Sequence, residues 1–206
     1  MSSAVRAIPR AAPQKQDLIR EAAKHVFLRE GYGASMDLVA AEAGVSKQTV
    51  YNHFGSKEGL FRAIVEGLSE EFLTVLVEGR RGDDDPAATL RQLAQRFLGL
   101  LLAPSSLALH RMLVAEAPRF PDLARAVYMA GPAQAIERLA TWLEDQNRRR
   151  NLAVADPTLA AEHFFGGLTG QIHLRALLGV RTPSPDEVGR TVDNVVSAFL
   201  RAHAYA

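Results

Sequence analysis

Three times along this chain a capping side chain is followed directly by proline: Asp85-Pro86, Asp156-Pro157 and Ser184-Pro185. A short polar side chain accepts from the free backbone N–H groups of a first helical turn, and proline suits the first helical position because its missing N–H would have no partner there. Each pair therefore opens a helix, and the third has Asp186 and Glu187 in its first turn, where the helix dipole favours acids. No stretch alternates apolar and polar residues as a half-buried strand would. The expected fold is all-α, with a small N-terminal helical unit and a larger C-terminal bundle.

The remaining punctuation agrees. Over 14–30, Leu18, Ile19, Ala22, Ala23, Val26 and Phe27 repeat at helical spacing, and Gly31 and Gly33 stop the run. Ser35 caps a short helix reaching Ala43, Ser46 caps one reaching Phe54, and Ser56 caps a longer one over 57–80. GRRGDDDP then breaks the periodicity; its aspartates read as capping and a solvated loop. Further helical stretches fall at 86–103, 105–117, 121–150, 157–179 and 185–203, with Gly131-Pro132 splitting or kinking the third. Residues 1–14 read as a flexible arm carrying Arg6 and Arg10, 15–60 as the first unit and 61–206 as the second.

Composition excludes some classes. There is no cysteine, so no disulfide scaffold or thiolate metal site, and the chain suits a cytoplasmic location. No apolar run approaches the ~20 residues that cross a bilayer, so no membrane partner is expected. Residues 1–62 hold nine Lys/Arg against six Asp/Glu, or +3, and the remainder fifteen against seventeen, or −2. That mild asymmetry permits an anionic partner at the N-terminal end.

The stretch SKQTVYNHFGSKEGLF, residues 46–61, is more pointed. A helix merely facing water favours Glu, Lys and Ala. This one sets Lys47, Gln48, Thr49, Tyr51, Asn52 and His53 together, all hydrogen-bonding and none acidic. Upstream, Ala40 is small enough for two helices to approach, Gly44 permits a left-handed turn, and Val39, Val45 and Val50 supply apolar contacts between them. Val50 and Phe54 lie four apart and point inward, leaving Lys47, Gln48, Tyr51 and Asn52 outward. The pattern is a helix-turn-helix whose second helix fits a DNA groove.

On LIREAAKHVFLREGYGAS, MDLVAAEAGVS and KQTVYNHFGSKEGLF, the chain resembles the DNA-binding domain of the TetR family of bacterial transcriptional regulators. HRMLVAEAPRFPDLARAVYMAGPAQAIERLATWL and HFFGGLTG resemble an AefR-like C-terminal domain. The resemblance implies a three-helix DNA-binding domain and a C-terminal bundle for ligand binding and dimerisation. It implies phosphate contacts at Ser46, Thr49, Tyr51, His53 and Lys57, and base contacts at Lys47 and Gln48. The family often has glycine where this chain has Gln48, and glutamine can bond adenine with both ends of its amide. Asn52 belongs to the same outward face.

The implied partners are double-stranded operator DNA, a second copy of the chain, and a hydrophobic or aromatic small-molecule effector that releases a repressor from a palindromic site. Effector-pocket residues are expected at Phe97, Leu101, Met112, Met129, Trp142, Phe165, His173 and Leu177, although the aromatic ones suit plain core as well. A dimer surface is expected at Phe164, Gly167, Ile172, Val192, Val195, Val196 and Phe199, although packing within one chain would satisfy the same stripe. No cofactor, metal or catalytic residue is expected. The chain has no Gly-x-Gly-x-x-Gly, Walker loop, Gly-x-Ser-x-Gly or Glu-x-x-His, so a helical enzyme is the weaker reading.

Overall fold

The computed structural model describes residues 14–78 and 85–204. The expected arm with Arg6 and Arg10, and most of GRRGDDDP, lie outside them. The described residues form α1 (Lys15–Glu30), α2 (Met36–Glu42), α3 (Lys47–Phe54), α4 (Lys57–Glu78), α5 (Pro86–Leu101), α6 (Pro104–Glu116), α7 (Pro121–Tyr128), a π-helical turn (Met129–Ala133), α8 (Gln134–Arg148), α9 (Pro157–Leu177) and α10 (Pro185–Ala202). None of them is a strand. No single described helix is long and apolar enough to cross a membrane.

The capping chemistry works as the sequence implies. Asp85 accepts from the Ala87 N–H, Asp156 from the Leu159 N–H and Ser184 from the Glu187 N–H. Glu187 accepts in return from the Ser184 N–H, completing a capping box at the start of α10. Residues 121–150 are split by the π-helical turn, which contains Gly131 and Pro132. Proline lacks the N–H that a regular helix requires, and the wider turn absorbs that loss. The backbone of α9 leaves helical geometry at Gly170, so that helix is kinked.

The buried side chains form two clusters. The first joins Ile19, Val26 and Phe27 of α1, Val39 of α2, Val50 of α3 and Leu60, Phe61 and Ile64 of α4 to Leu109 of α6 and Leu123 and Val127 of α7. The second joins Phe72, Leu73 and Leu76 of α4 to α5, α8, α9 and α10. The expected boundary between 60 and 61 falls inside α4, and this one helix contributes to both cores. Leu18, expected on the buried face of α1, is 45% exposed, because Ile19, Ala22, Ala23, Val26 and Phe27 form the inward stripe.

Candidate nucleic-acid interface and ligand cavity

The turn between α2 and α3 follows from two residues. Gly44 has φ +64°, a left-handed backbone that L side chains rarely adopt, and Val45 N–H returns to the Ala40 carbonyl at 3.0 Å. Ser46 then caps α3, its hydroxyl accepting from Thr49 N–H at 3.1 Å and lying 2.8 Å from the Thr49 hydroxyl. Val50 is fully buried against Val39 and Ala40 in the first cluster, which fixes the rotation of α3. That rotation leaves Lys47, Gln48, Tyr51, Asn52 and His53 exposed on one short helix.

Their resting partners are local. Lys47 donates to Asp37 at 2.8 Å, a bond that raises its pKa above the usual lysine value. Gln48 donates through its amide to the Asn52 side-chain carbonyl at 2.8 Å. Asn52 thus orients Gln48 while leaving its carbonyl and one N–H available. His53 lies 3.4 Å from the Gln16 amide of α1.

Lys57 behaves differently from its neighbours. Its ammonium sits 4.6 Å from the Tyr32 ring centroid and 5.9 Å from that of Phe27. Burial there lowers its pKa, while Glu58 and Glu116 nearby act in the opposite sense. The Tyr32 hydroxyl donates to Glu58 at 3.0 Å, and the Tyr32 ring meets Phe120 edge-on at 5.0 Å between centroids. Phe120 immediately precedes α7, so the second half of the chain touches the wall on which Lys57 rests.

Between the two clusters lies a cavity of about 400 Å³. α4 lines it with Val65, Leu68, Ser69 and Phe72, α5 with Phe97, Leu100 and Leu101, and α6 with Ser106 and His110. The π-helical turn adds Gly131 and Pro132, α8 Ala135 and Ile136, and α9 Glu162, Phe165, Gly166, Thr169 and His173. The wall is mostly apolar, with few polar groups, as in ordinary small-molecule sites. His110 and His173 stack at 5.2 Å with their planes 23° apart. Burial lowers the pKa of both, and proximity to His110 lowers that of His173 further. Among the described residues no group of three or more His, Cys, Asp or Glu could hold a metal ion.

The structure divides the residues expected at a pocket between this cavity and other settings. Phe97, Leu101, Phe165 and His173 line the cavity; Met112, Met129, Trp142 and Leu177 do not. Met112 packs against the first cluster, Trp142 is fully buried in the second, and Met129 is 60% exposed. Leu177 gives its carbonyl to Arg111 at 2.5 Å. The wall residues on α4 and the π-helical turn went unforeseen. On α4 the spacing of Val65, Leu68 and Phe72 marks an apolar face without saying whether it meets core or cavity.

The residues expected at a dimer surface are placed as follows. Phe164, Val192, Val196 and Phe199 are buried in the second cluster of a single protomer, and Ile172 is also buried. Val195 is half-buried and packs against Gly167, where an added Cβ would lie 3.3 Å from a Val195 methyl. The apolar stripe of α10 is satisfied within its own chain. Leu159 and Leu174 are the exposed large apolar residues of α9, with Leu178 and Val180 beyond its end.

A buried helix-turn-helix core with an outward polar α3, joined through α4 to a second helical core, defines a class of DNA-binding regulator. Comparison with known proteins narrows this. Residues 19–64 match the bacterial regulatory proteins of the tetR family, and residues 88–205 match the AefR-like transcriptional repressor C-terminal domain. The chain belongs to the TetR family of transcriptional regulators, which are not enzymes.

A crystal structure of a TetR-family regulator from Mesorhizobium loti is 33% identical, covering 93% of this chain and 97% of that one, with a TM-score of 0.78. The flavonoid-responsive regulator FrrA is 32% identical over 92% of this chain and 97% of that one, with a TM-score of 0.70. The transcriptional regulatory protein RaaS of Mycobacterium tuberculosis is 40% identical over 77 residues, 37% of this chain and 36% of RaaS. The transcriptional activator FasR of Mycolicibacterium smegmatis is 34% identical over 95 residues, 46% of this chain and 42% of FasR. The chain thus spans less than half the length of these two curated relatives. Regulators of this family bind operator DNA and act as dimers.

Proposed function

We propose that this chain is a homodimeric repressor that binds a palindromic operator and is released when a hydrophobic or aromatic small molecule enters the cavity between α4, α5, α6, α8 and α9. The observation that carries this reading is the placement of α4. One helix holds the core beneath α3 through Leu60, Phe61 and Ile64, and lines the cavity through Val65, Leu68, Ser69 and Phe72. A ligand that prefers a shifted α4 changes the placement of the DNA-reading helix, and only such differential binding can release DNA.

On the operator, Ser46, Thr49, Tyr51, His53 and Lys57 take phosphates, and Lys47 and Gln48 take base edges. Lys47 exchanges Asp37 for DNA, and Lys57 lifts from the Tyr32 ring. Two copies set their half-sites about 34–36 Å apart or at multiples of that. The sign of regulation depends on where the operator sits relative to a promoter. Likeness to the activator FasR supports a second reading, in which the same DNA contacts recruit transcription instead of blocking it.

The test is selection of binding sites from random duplex DNA at moderate salt, followed by titration of the enriched duplex with hydrophobic and aromatic compounds. Enrichment of a palindrome, and its release by a compound that also raises the melting temperature, is the expected result. Failure to enrich any sequence with a folded dimer refutes the DNA reading. Compounds that bind the cavity without altering operator affinity refute the release mechanism.

A further inference from the structure

We propose that the effector bears a weakly acidic oxygen function, a carboxylic acid or a phenol, at one end of an apolar body, and that the His110–His173 pair receives it. This rests on the preceding reading of the cavity as an effector site.

His173 is 8% exposed, and its Nε2 has no hydrogen-bond partner. A buried polar atom without a partner destabilises the fold unless something else satisfies it. His173 lines the cavity from α9, and His110 stacks on it from α6. The polar end of an otherwise apolar chamber is thus built from two helices, and a head group there would bridge them.

The other polar groups of the wall are less available or less selective. The Thr169 hydroxyl already donates toward the Phe165 and Gly166 carbonyls. Ser69 and Ser106 offer neutral hydroxyls. No side chain from α4, α5, the π-helical turn or α8 on this wall titrates. On α9 the one carboxylate is Glu162, which is exposed to solvent. Beside His110 on α6, Arg111 is bonded to the Leu177 and Ala176 carbonyls.

Burial keeps both imidazoles below their ordinary pKa, so the pair is uncharged at neutral pH. An uncharged imidazole accepts from a phenol O–H and donates to a carboxylate. It can also take up a proton and so supply the countercharge that a buried carboxylate requires. A permanently cationic head finds no such partner, because neutral imidazoles have no negative charge to offer and Glu162 is solvated.

The experiment uses the full chain and four probes on one ring system: naphthalene, 2-naphthol, 2-naphthoate and 2-naphthylmethylamine. Calorimetry and thermal shift are run on the native protein and on His173→Phe, His110→Phe and His173→Gln, each checked for helical content and operator binding. The naphthol and naphthoate are expected to bind about ten-fold tighter than naphthalene and the amine. His173→Phe removes that advantage while still binding naphthalene, and His173→Gln, which keeps a hydrogen-bonding side chain, retains part of it. If His173→Phe does not fold, His110→Phe and His173→Gln carry the comparison. Equal binding of all four probes, preference for the amine, or survival of the acid preference in both phenylalanine variants overturns this inference alone. If none of the four binds the folded native chain, the effector-site reading of the cavity falls with it.

Discussion

The packing beneath α3 and the packing around the cavity are built to different tolerances. Beneath α3 the packing is closed: Ile19, Ala23, Val26, Phe27, Val39, Val50 and Leu60 have no exposed surface, and Phe27, Tyr32 and Phe61 pack ring against ring. Around the cavity the packing is open. Phe97 and Phe165 meet at 4.9 Å but face the cavity, and the π-helical turn and the kink at Gly170 belong to its wall helices. The surface proposed to match base edges to within a hydrogen-bond length is set on the closed core. The cavity proposed to change with its occupant is set between the two cores, against the interrupted helices.

The sharpest way to break this contrast is to remove one ring from each core. Phe27→Ala should lose about 3–5 kcal/mol in chemical denaturation, the range for a well-packed phenylalanine. Phe97→Ala should lose less than half of that, roughly 1–2 kcal/mol, because one side of its ring already lacks packing partners. Equal losses would mean that the cavity collapses in solution and that the two regions pack alike.

Next in size is a change on the reading helix itself. Gln48→Ala should lose about 1–3 kcal/mol of discrimination at one base position of the selected operator. It should leave the binding of cavity probes unaltered. A uniform loss across all sequences would give Gln48 a phosphate-binding or structural role instead.

A smaller effect is expected at the turn. Gly44→Ala should cost about 1–2 kcal/mol, since a Cβ is disfavoured at φ +64° even though no atom stands in its way. The cost should appear as lost protection of α2 and α3 in hydrogen exchange, with α8 to α10 unchanged.

The smallest effect separates the regions by pH. His110, His173 and His203 all lie in the second half, and burial holds each below its ordinary pKa. Their unfolded forms therefore bind protons first as pH falls below about 6.5, so the folded state loses stability from there down through the folded pKa values. Hydrogen exchange at pH 7.5 and 5.5 should show the loss in α6, α9 and α10 before α1 to α3. Earlier loosening of the DNA-reading helices would contradict it.

Much of the fold was legible because its signals are local. Asp85, Asp156 and Ser184 cap their helices through their own side chains, and Gly44 makes its turn through its own backbone, so nearest neighbours suffice to read them. The outward face of α3 was equally readable once Val50 marked the inward one. The cavity wall was not, because core and cavity wall are written in the same apolar residues. Trp142 and Phe165 differ in setting only through which neighbour stands opposite. Val192, Val196 and Phe199 read equally as core or interface in sequence, and in the chain itself they are buried in the second cluster. His110 is the instructive omission: nothing local marks it until α9 brings His173 alongside.

The place of α4 in both cores has a consequence for how such a protein can change over generations. None of the exposed side chains of α3 lies on the cavity wall, and none of the wall residues lies on α3. On the proposed function, substitutions that alter which sequence is read and substitutions that alter which molecule is sensed fall on separate sets of positions. Either vocabulary can drift while the other is kept, provided the one shared helix still fits both ends.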